Sequence, residues 1–370
     1  MKKVQAARWM VAAGMATVLG LTGCTGAPAR TPGSQQGSAQ AAPAKKTAAQ
    51  KAAGLYREVL ANPMKYFAHL EESRQTEGVA FEYALVEATG DDIPELLVRA
   101  SGPAETWNGI SDILPFTVNE DGSELIVSPV WLNDGVAGVG GFRGSVMASA
   151  YGNGLLASEV SSGTGEGTVH RYAWNEDVHP QSTVCEMQVG KESPVADLVQ
   201  SEFVDIEWEA IPADEAGIDG LEDLSMLADG SWEPTAYRSE KALADIASEL
   251  GLVVLSGTLH EVNDQGIVDL QGMPSPNPIT DELTMHALLQ LDNPVTLTAM
   301  SGDGMSSREG EAKFVLLDRD VSDLDWGAYQ GKHVTVAIDP KMAFWPSDTS
   351  LPVGEPRLMR GGVAVLSVDK

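Results

Sequence analysis

Cysteine is almost absent from these 370 residues: only Cys24 and Cys185 occur. That excludes a multi-bridge disulfide framework. Basic residues are also scarce, with 24 Lys and Arg against 53 Asp and Glu and a formal net charge of −29. A chain so short of positive charge lacks the basic footprint that nucleic-acid binding requires. Motifs of catalysis are missing too. There is no G-x-S-x-G elbow to strain a serine nucleophile and no H-E-x-x-H pair. The six histidines (His69, His170, His179, His260, His286 and His333) are scattered without paired-ligand spacing. Gly190-Lys191-Glu192 and Gly331-Lys332-His333 lack the Ser or Thr that completes a phosphate-binding loop.

What is present begins at the N-terminus. Lys2, Lys3 and Arg8 precede an apolar stretch from Trp9 to Leu21, 13 residues long. That length suits the hydrophobic centre of a signal peptide and falls short of a bilayer span. Leu21-Thr22-Gly23-Cys24 follows and resembles the lipobox of bacterial lipoproteins. The resemblance implies cleavage before Cys24, a diacylglycerol on its sulfur, and anchoring on the extracytoplasmic face of the cell membrane. Two or more acyl chains anchor a protein stably where one does not.

Residues 24–54 are expected to form a disordered tether after a signal peptide of residues 1–23. The segment holds almost only Ala, Gly, Pro, Ser, Thr and Gln, with Arg30, Lys45, Lys46 and Lys51 as its charges. No apolar side chain there is larger than alanine, which leaves little to offset ordering entropy. Residues 55–370 carry all 53 acids and 17 of the basic residues, a formal balance of −36. The basic tether can approach an anionic membrane surface that repels the acidic body.

The body reads as a β-rich α+β fold: N-terminal helices covering an antiparallel sheet (55–191), an acidic connector and helix (192–250), and a small C-terminal β-barrel (251–370). Tyr56, Val59 and Leu60 share a helical face, and Asn62-Pro63 starts a second helical segment carrying Tyr66, Phe67 and Leu70. Alternating strands follow at Phe81–Leu85, Leu96–Val98, Ile113–Val118 and Leu125–Val127. Gly152-Asn153-Gly154 marks a hairpin between Val146–Ala150 and Leu155–Val160, and Thr168–Trp174 and Val184–Val189 continue the run. Residues 192–237 contain 13 acids and no Lys or Arg, the pattern of a connector or of a solvated face. Ala242, Leu243, Ile246, Ala247 and Leu250 mark an amphipathic helix closed by Gly251. Short strands then recur, including Ile267–Leu270 after an Asn263–Gly266 turn. Two more strands, Leu289–Leu291 and Val295–Ala299, flank Asp292-Asn293-Pro294.

Two further stretches carry resemblances. Tyr83-Ala84-Leu85-Val86 with Gly90-Asp91-Asp92-Ile93-Pro94-Glu95-Leu96-Leu97 resembles a strand–turn–strand motif of uncharacterised bacterial surface lipoproteins, in which a helix pair also precedes the motif. Leu288–Pro294 with Trp326–Val336 is similar to small OB-like domains of unknown function. These resemblances imply architecture and location and bring no activity.

Three sets of residues are weighed as sites. Glu87, Asp91 and Glu95 could present oxygens to a metal ion. A calcium loop counted from Glu87 would need Gly where Asp92 stands and a bidentate Glu where Val98 stands, so a plain turn and no metal is expected. Phe344 and Trp345, beside Pro346, could offer aromatic surface to a glycan or protein. Cys185 alternates with Met187 and Val189 and reads as a small buried hydrophobe rather than a nucleophile. No motif calls for a cofactor, and no catalytic residue is assigned. The reading is a lipid-anchored, non-catalytic binding or accessory module with an unidentified protein or glycan partner at the envelope. The alternatives are an envelope hydrolase with a dispersed active site, or a solute-binding receptor of an importer.

Overall fold

In the computed structural model the described residues are 47–73, 77–138, 141–173, 181–234, 240–279, 283–319, 326–346 and 350–368. Cys24 with its lipobox, Trp174 and His179 lie outside them. The chain is mixed and strand-rich. Helix α1 (Ala48–Ala61) opens with a capping box, in which the Thr47 hydroxyl accepts from Gln50 N–H and the Gln50 side chain accepts from Thr47 N–H. It is followed by α2 (Ala68–Ser73). The expected tether therefore ends earlier than Gly54. Ala52 and Ala53 are fully buried, because small side chains on a well-capped helix let its backbone lie close to its neighbours.

The first sheet contains β1 (Ala80–Val86), β2 (Glu95–Ser101), β3 (Ile110–Val118), β4 (Leu125–Val127), β5 (Leu132–Val136) and β6 (Phe142–Ser149). Helix α3 (Ala104–Trp107) joins β2 to β3. The sheet continues with β7 (Leu155–Ser161), β8 (Glu166–Tyr172) and β9 (Gln181–Gln188), and later takes up β10 (Phe203–Val204) and β11 (Glu209–Ala210). Its order is β11-β1-β2-β3-β5-β6-β7-β8-β9, with β4 on β3 and β10 on β6, and every pairing is antiparallel. The period of two in β2 divides its apolar residues between two cores. Leu96, Val98 and Ala100 cluster with Tyr56 and Leu60 of α1, whereas Leu97 joins Ile113 and Leu155.

The acidic stretch 192–237 is more than a connector. It forms α4 (Pro194–Gln200), β10, β11, α5 (Glu215–Asp219) and α6 (Glu222–Asp229), and α7 (Glu240–Glu249) follows. Val195, Leu198 and Val199 enter one core, and Ile218, Leu224 and Leu227 enter another. Its apolar residues fall at helical spacing and pack inward, while Glu207, Glu209, Glu215 and Glu222 stay in solvent. Most of the acidity belongs to a solvated face, with Asp223 half-buried and Glu202 buried against Arg171.

The second sheet holds β12 (Val253–Val262), β13 (His286–Ser301), β14 (Ser307–Arg319), β15 (His333–Ile338), β16 (Ala343–Trp345), β17 (Arg357–Leu358) and β18 (Val363–Val368). Strands β13, β14, β17 and β16 pair in a closed circuit, a small four-strand barrel. Two local expectations are corrected here. Asp264–Gln271 is helix α8 rather than a strand, because the Asn263 side chain accepts from Gly266 N–H and caps it. Asp292-Asn293-Pro294 does not end a strand. Strand β13 runs through it with a register shift between Gln290 and Val295, pairing with β14 on both sides of the bulge, with β12 before it and with β16 after it.

Residues Lys46–Lys370 make one compact unit. The two sheets meet in a shared core of Val169, Val184, Cys185 and Leu198 against Ala337, Ala364 and Leu366. Among the described residues, no helix is long and apolar enough to cross a membrane.

Candidate functional site

The Glu87–Glu95 turn brings its carboxylates together, but inside the protein. Glu95 is 0% exposed, accepting from Ala88 N–H at 2.7 Å and from the Thr117 hydroxyl at 2.9 Å. Glu87, 5% exposed, accepts through Oε1 from Gly90 N–H at 2.7 Å and Thr89 N–H at 3.1 Å, and its Oε2 is buried without a partner. Asp91 accepts from Ile93 N–H at 2.8 Å, and Tyr56 on α1 donates to the Pro94 carbonyl at 2.8 Å. Burial, and next the charge of Glu87, holds the Glu95 carboxyl well above the usual range. Burial raises Glu87 as well, and the Gly90 and Thr89 amides draw it back. Amide donors take up Glu87 Oε1, Asp91 Oδ1 and Glu95 Oε2, and the Thr117 hydroxyl takes up Glu95 Oε1. Among the described residues no group of three or more His, Cys, Asp or Glu is placed to hold a metal. Asp92 takes φ = 67°, supplying the left-handed residue for which a glycine was sought. Aspartate tolerates that region because its short side chain bonds locally.

The aromatic pair at Phe344 and Trp345 is corrected. Trp345 is 1% exposed and sits in the barrel core, and Phe344 is half-buried in β16, which pairs with β13 and β17. A Cβ added at Gly310 would come within 2.9 Å of the indole, and the Arg308 guanidinium lies 5.1 Å from its ring centre. The Pro-rich neighbourhood misled because it follows a strand that closes the barrel. Among the described residues Trp131 is the exposed indole instead, at 36%, with its ring 4.9 Å from Phe67 and 4.4 Å from His69. Cys185 is buried in β9, and burial, with the nearby Glu202 and Glu186 charges, pushes its thiol up to about 12. That is the inert state expected of a core cysteine.

Among the cavities of the described surface are two of different size. The smaller, about 240 Å³, is lined by Asp264, His286 and Arg357 beside Ser275 and Ser350. The buried His286 meets Asp264 there, Nε2 to Oδ1, at 3.1 Å. The larger, about 810 Å³, is an open cleft where the β7–β9 end of the first sheet faces Asp339, Met342, Arg360 and Gly361 beside the second. Antiparallel pairing sets Glu159, Thr168 and Glu186 in a row across β7, β8 and β9. Asp339, Met342 and Arg360 form the opposite wall, and Phe142, Val160 and Met187 add apolar surface. Five carboxylates (Glu159, Glu166, Glu186, Glu192 and Asp339) face two cations, Lys191 and Arg360. Arg360 bridges the walls, with Nε 2.9 and 3.1 Å from the two Glu186 oxygens and Nη2 at 2.8 Å.

Sequence reasoning assigns none of the cleft residues to a site, although Met187, Lys191 and Glu192 fall in stretches it names. The cleft residues come from positions as far apart as Gly141 and Gly361, and no local pattern announces a junction between two sheets. The chemistry available is recognition by charge, hydrogen bonding and apolar contact. Comparison with family models, with curated proteins and with solved structures gave no match for the chain.

Proposed function

We propose that this chain is a lipid-anchored binding module on the outer side of the cell membrane, working through the cleft between its two sheets. The single observation that carries the binding role is that cleft: an 810 Å³ concavity of mixed polar and apolar lining at the junction of two sheets, the kind of place where ligand sites form. The anchor rests on the lipobox resemblance at Leu21–Cys24. In this reading α1, α2 and α6 are the cover of the first sheet. The order β14-β13-β12-β15-β18 in the second is an OB-like arrangement elaborated by β16 and β17. The hydrolase alternative calls for a pocket joining two carboxylates, one of them with a raised pKa. Glu87 and Glu95, whose carboxyls burial raises, line neither cavity, which favours binding over hydrolysis.

Two measurements test the proposal. Cell fractionation is expected to find the parent chain with the membrane and a Cys24→Ala variant released to the medium or left unprocessed. A Cys24→Ala chain that matures and stays membrane-bound would overturn the anchor. For the cleft, amide chemical shifts of the protein are followed with tripeptides of positive, neutral and negative charge. At least one is expected to shift Thr168, Gln188 and Gly361 together, and silence of these residues with every probe would overturn the binding site.

A further inference from the structure

We propose that the cleft accepts a ligand bearing a guanidinium or primary ammonium group, and that Arg360 is the built-in stand-in for that group. The inference rests on the cleft being the binding site and adds the chemistry of what it binds. Glu186 belongs to β9 of the first sheet, and Arg360 to the turn between β17 and β18 of the second. Their contact is the paired, fork-to-carboxylate geometry that recognises a guanidinium specifically. The two partners differ in burial, at 12% exposure for the Glu186 side chain and 68% for that of Arg360. The anion is built into the wall, and the cation is laid on it from solvent.

An exposed arginine held this way gains little, since it gives up rotamer freedom and is screened by salt. A ligand's cation can therefore replace it on Glu186, leaving Arg360 to swing into water. Such a ligand also meets Glu159, Glu166, Glu192 and Asp339 on the same lining. An anionic ligand would meet the same carboxylates with only Lys191 to offset them once Arg360 is engaged. The surrounding field points the same way, because residues 55–370 carry a formal −36 and would draw cations toward the cleft. Two sources share this chemistry, a basic peptide segment and a free polyamine, and their bonds to Glu186 differ. A guanidinium repeats both contacts of Arg360, whereas an ammonium behaves as a point charge.

The test is calorimetric titration of the full-length chain in detergent with tri-arginine, spermidine and tri-glutamate. The parent is compared with Arg360→Ala and Glu186→Gln, each checked for an unchanged melting curve. Removing the stand-in is expected to tighten tri-arginine binding about fivefold, and Glu186→Gln is expected to weaken it by at least as much. An equal gain for spermidine in Arg360→Ala would identify an ammonium site, and a gain confined to tri-arginine a guanidinium site. Arg360→Ala binding cations no more tightly than the parent would overturn the inference. Binding of tri-glutamate in preference to tri-arginine would overturn it too, while leaving the cleft as the binding site. If no probe binds any of the three chains, the cleft reading falls with it.

Discussion

The turn at Glu87–Glu95 and the cleft between the sheets are both built on carboxylates, and they put them to opposite use. In the turn, Glu87 and Glu95 are sealed under α1 and β3, each held by amide or hydroxyl donors, with no cation among the causes of their raised pKa values. In the cleft, Glu159 and Glu166 stand exposed and Glu186 carries an arginine from the other sheet. Residue type is the same in the two places. Water decides the difference: a sealed carboxylate is costly to ionise and serves the fold, whereas a solvated one keeps its charge and can be offered to a partner.

The largest effect should come from carrying the comparison to a sealed ion pair. Arg171 donates to Glu202 at 2.7 Å where both are buried. Arg171→Met should cost roughly 3–5 kcal/mol in urea unfolding, because it strands a buried charge. Arg360→Ala removes an arginine from an equally well-formed pair at the cleft, yet should cost less than about 1 kcal/mol. Similar losses at the two positions would break the distinction between sealed and open charge.

A smaller effect of opposite sign should appear at Glu95. Its folded pKa is raised, so stability tied to this group is complete below the unfolded carboxyl range, about 4.3. That stability is lost as pH rises through the folded value. Glu95→Gln removes the titration and can still use the Ala88 and Thr117 contacts. It should therefore be more stable than the parent at pH 7, on the order of 1 kcal/mol, with the advantage vanishing near pH 4. Thermal melts across that range would check it, and a variant less stable than the parent at every pH would show that the ionised carboxylate supports the turn. Smallest of all should be Glu166→Gln at the exposed rim of the cleft. Its melting temperature is expected to match the parent's, with any change confined to cation binding.

Much of the fold was legible where local rules act alone. The Gly152-Asn153-Gly154 hairpin joins β6 to β7 as expected, and Cys185 is buried on a strand as its alternation implied. Legibility failed where a local signal has two meanings. Asn263 reads as a turn residue and is a helix cap, since its side chain serves both structures equally well. Asp292-Asn293-Pro294 was taken for a turn and is a bulge, because pairing with β14 continues on either side. The acidic run 192–237 reads equally as a connector or as a solvated face, and only the packing of its apolar residues separates the two. At the candidate sites, Trp345 was legible as an aromatic but not as a core residue, since exposure is a property of what folds over it.

Sequence by itself determined the charge asymmetry, the lipobox-like start and the strand-rich character, because composition and short-range periodicity act without reference to the rest of the chain. Tertiary structure alone decided that Trp131 and not Trp345 faces solvent, that Glu87 and Glu95 share one sealed turn, and that Arg360 meets Glu186 across a cleft. Each of these depends on which of two faces a strand turns inward and which distant strand it meets. Neither is settled until long-range pairing excludes water from one side.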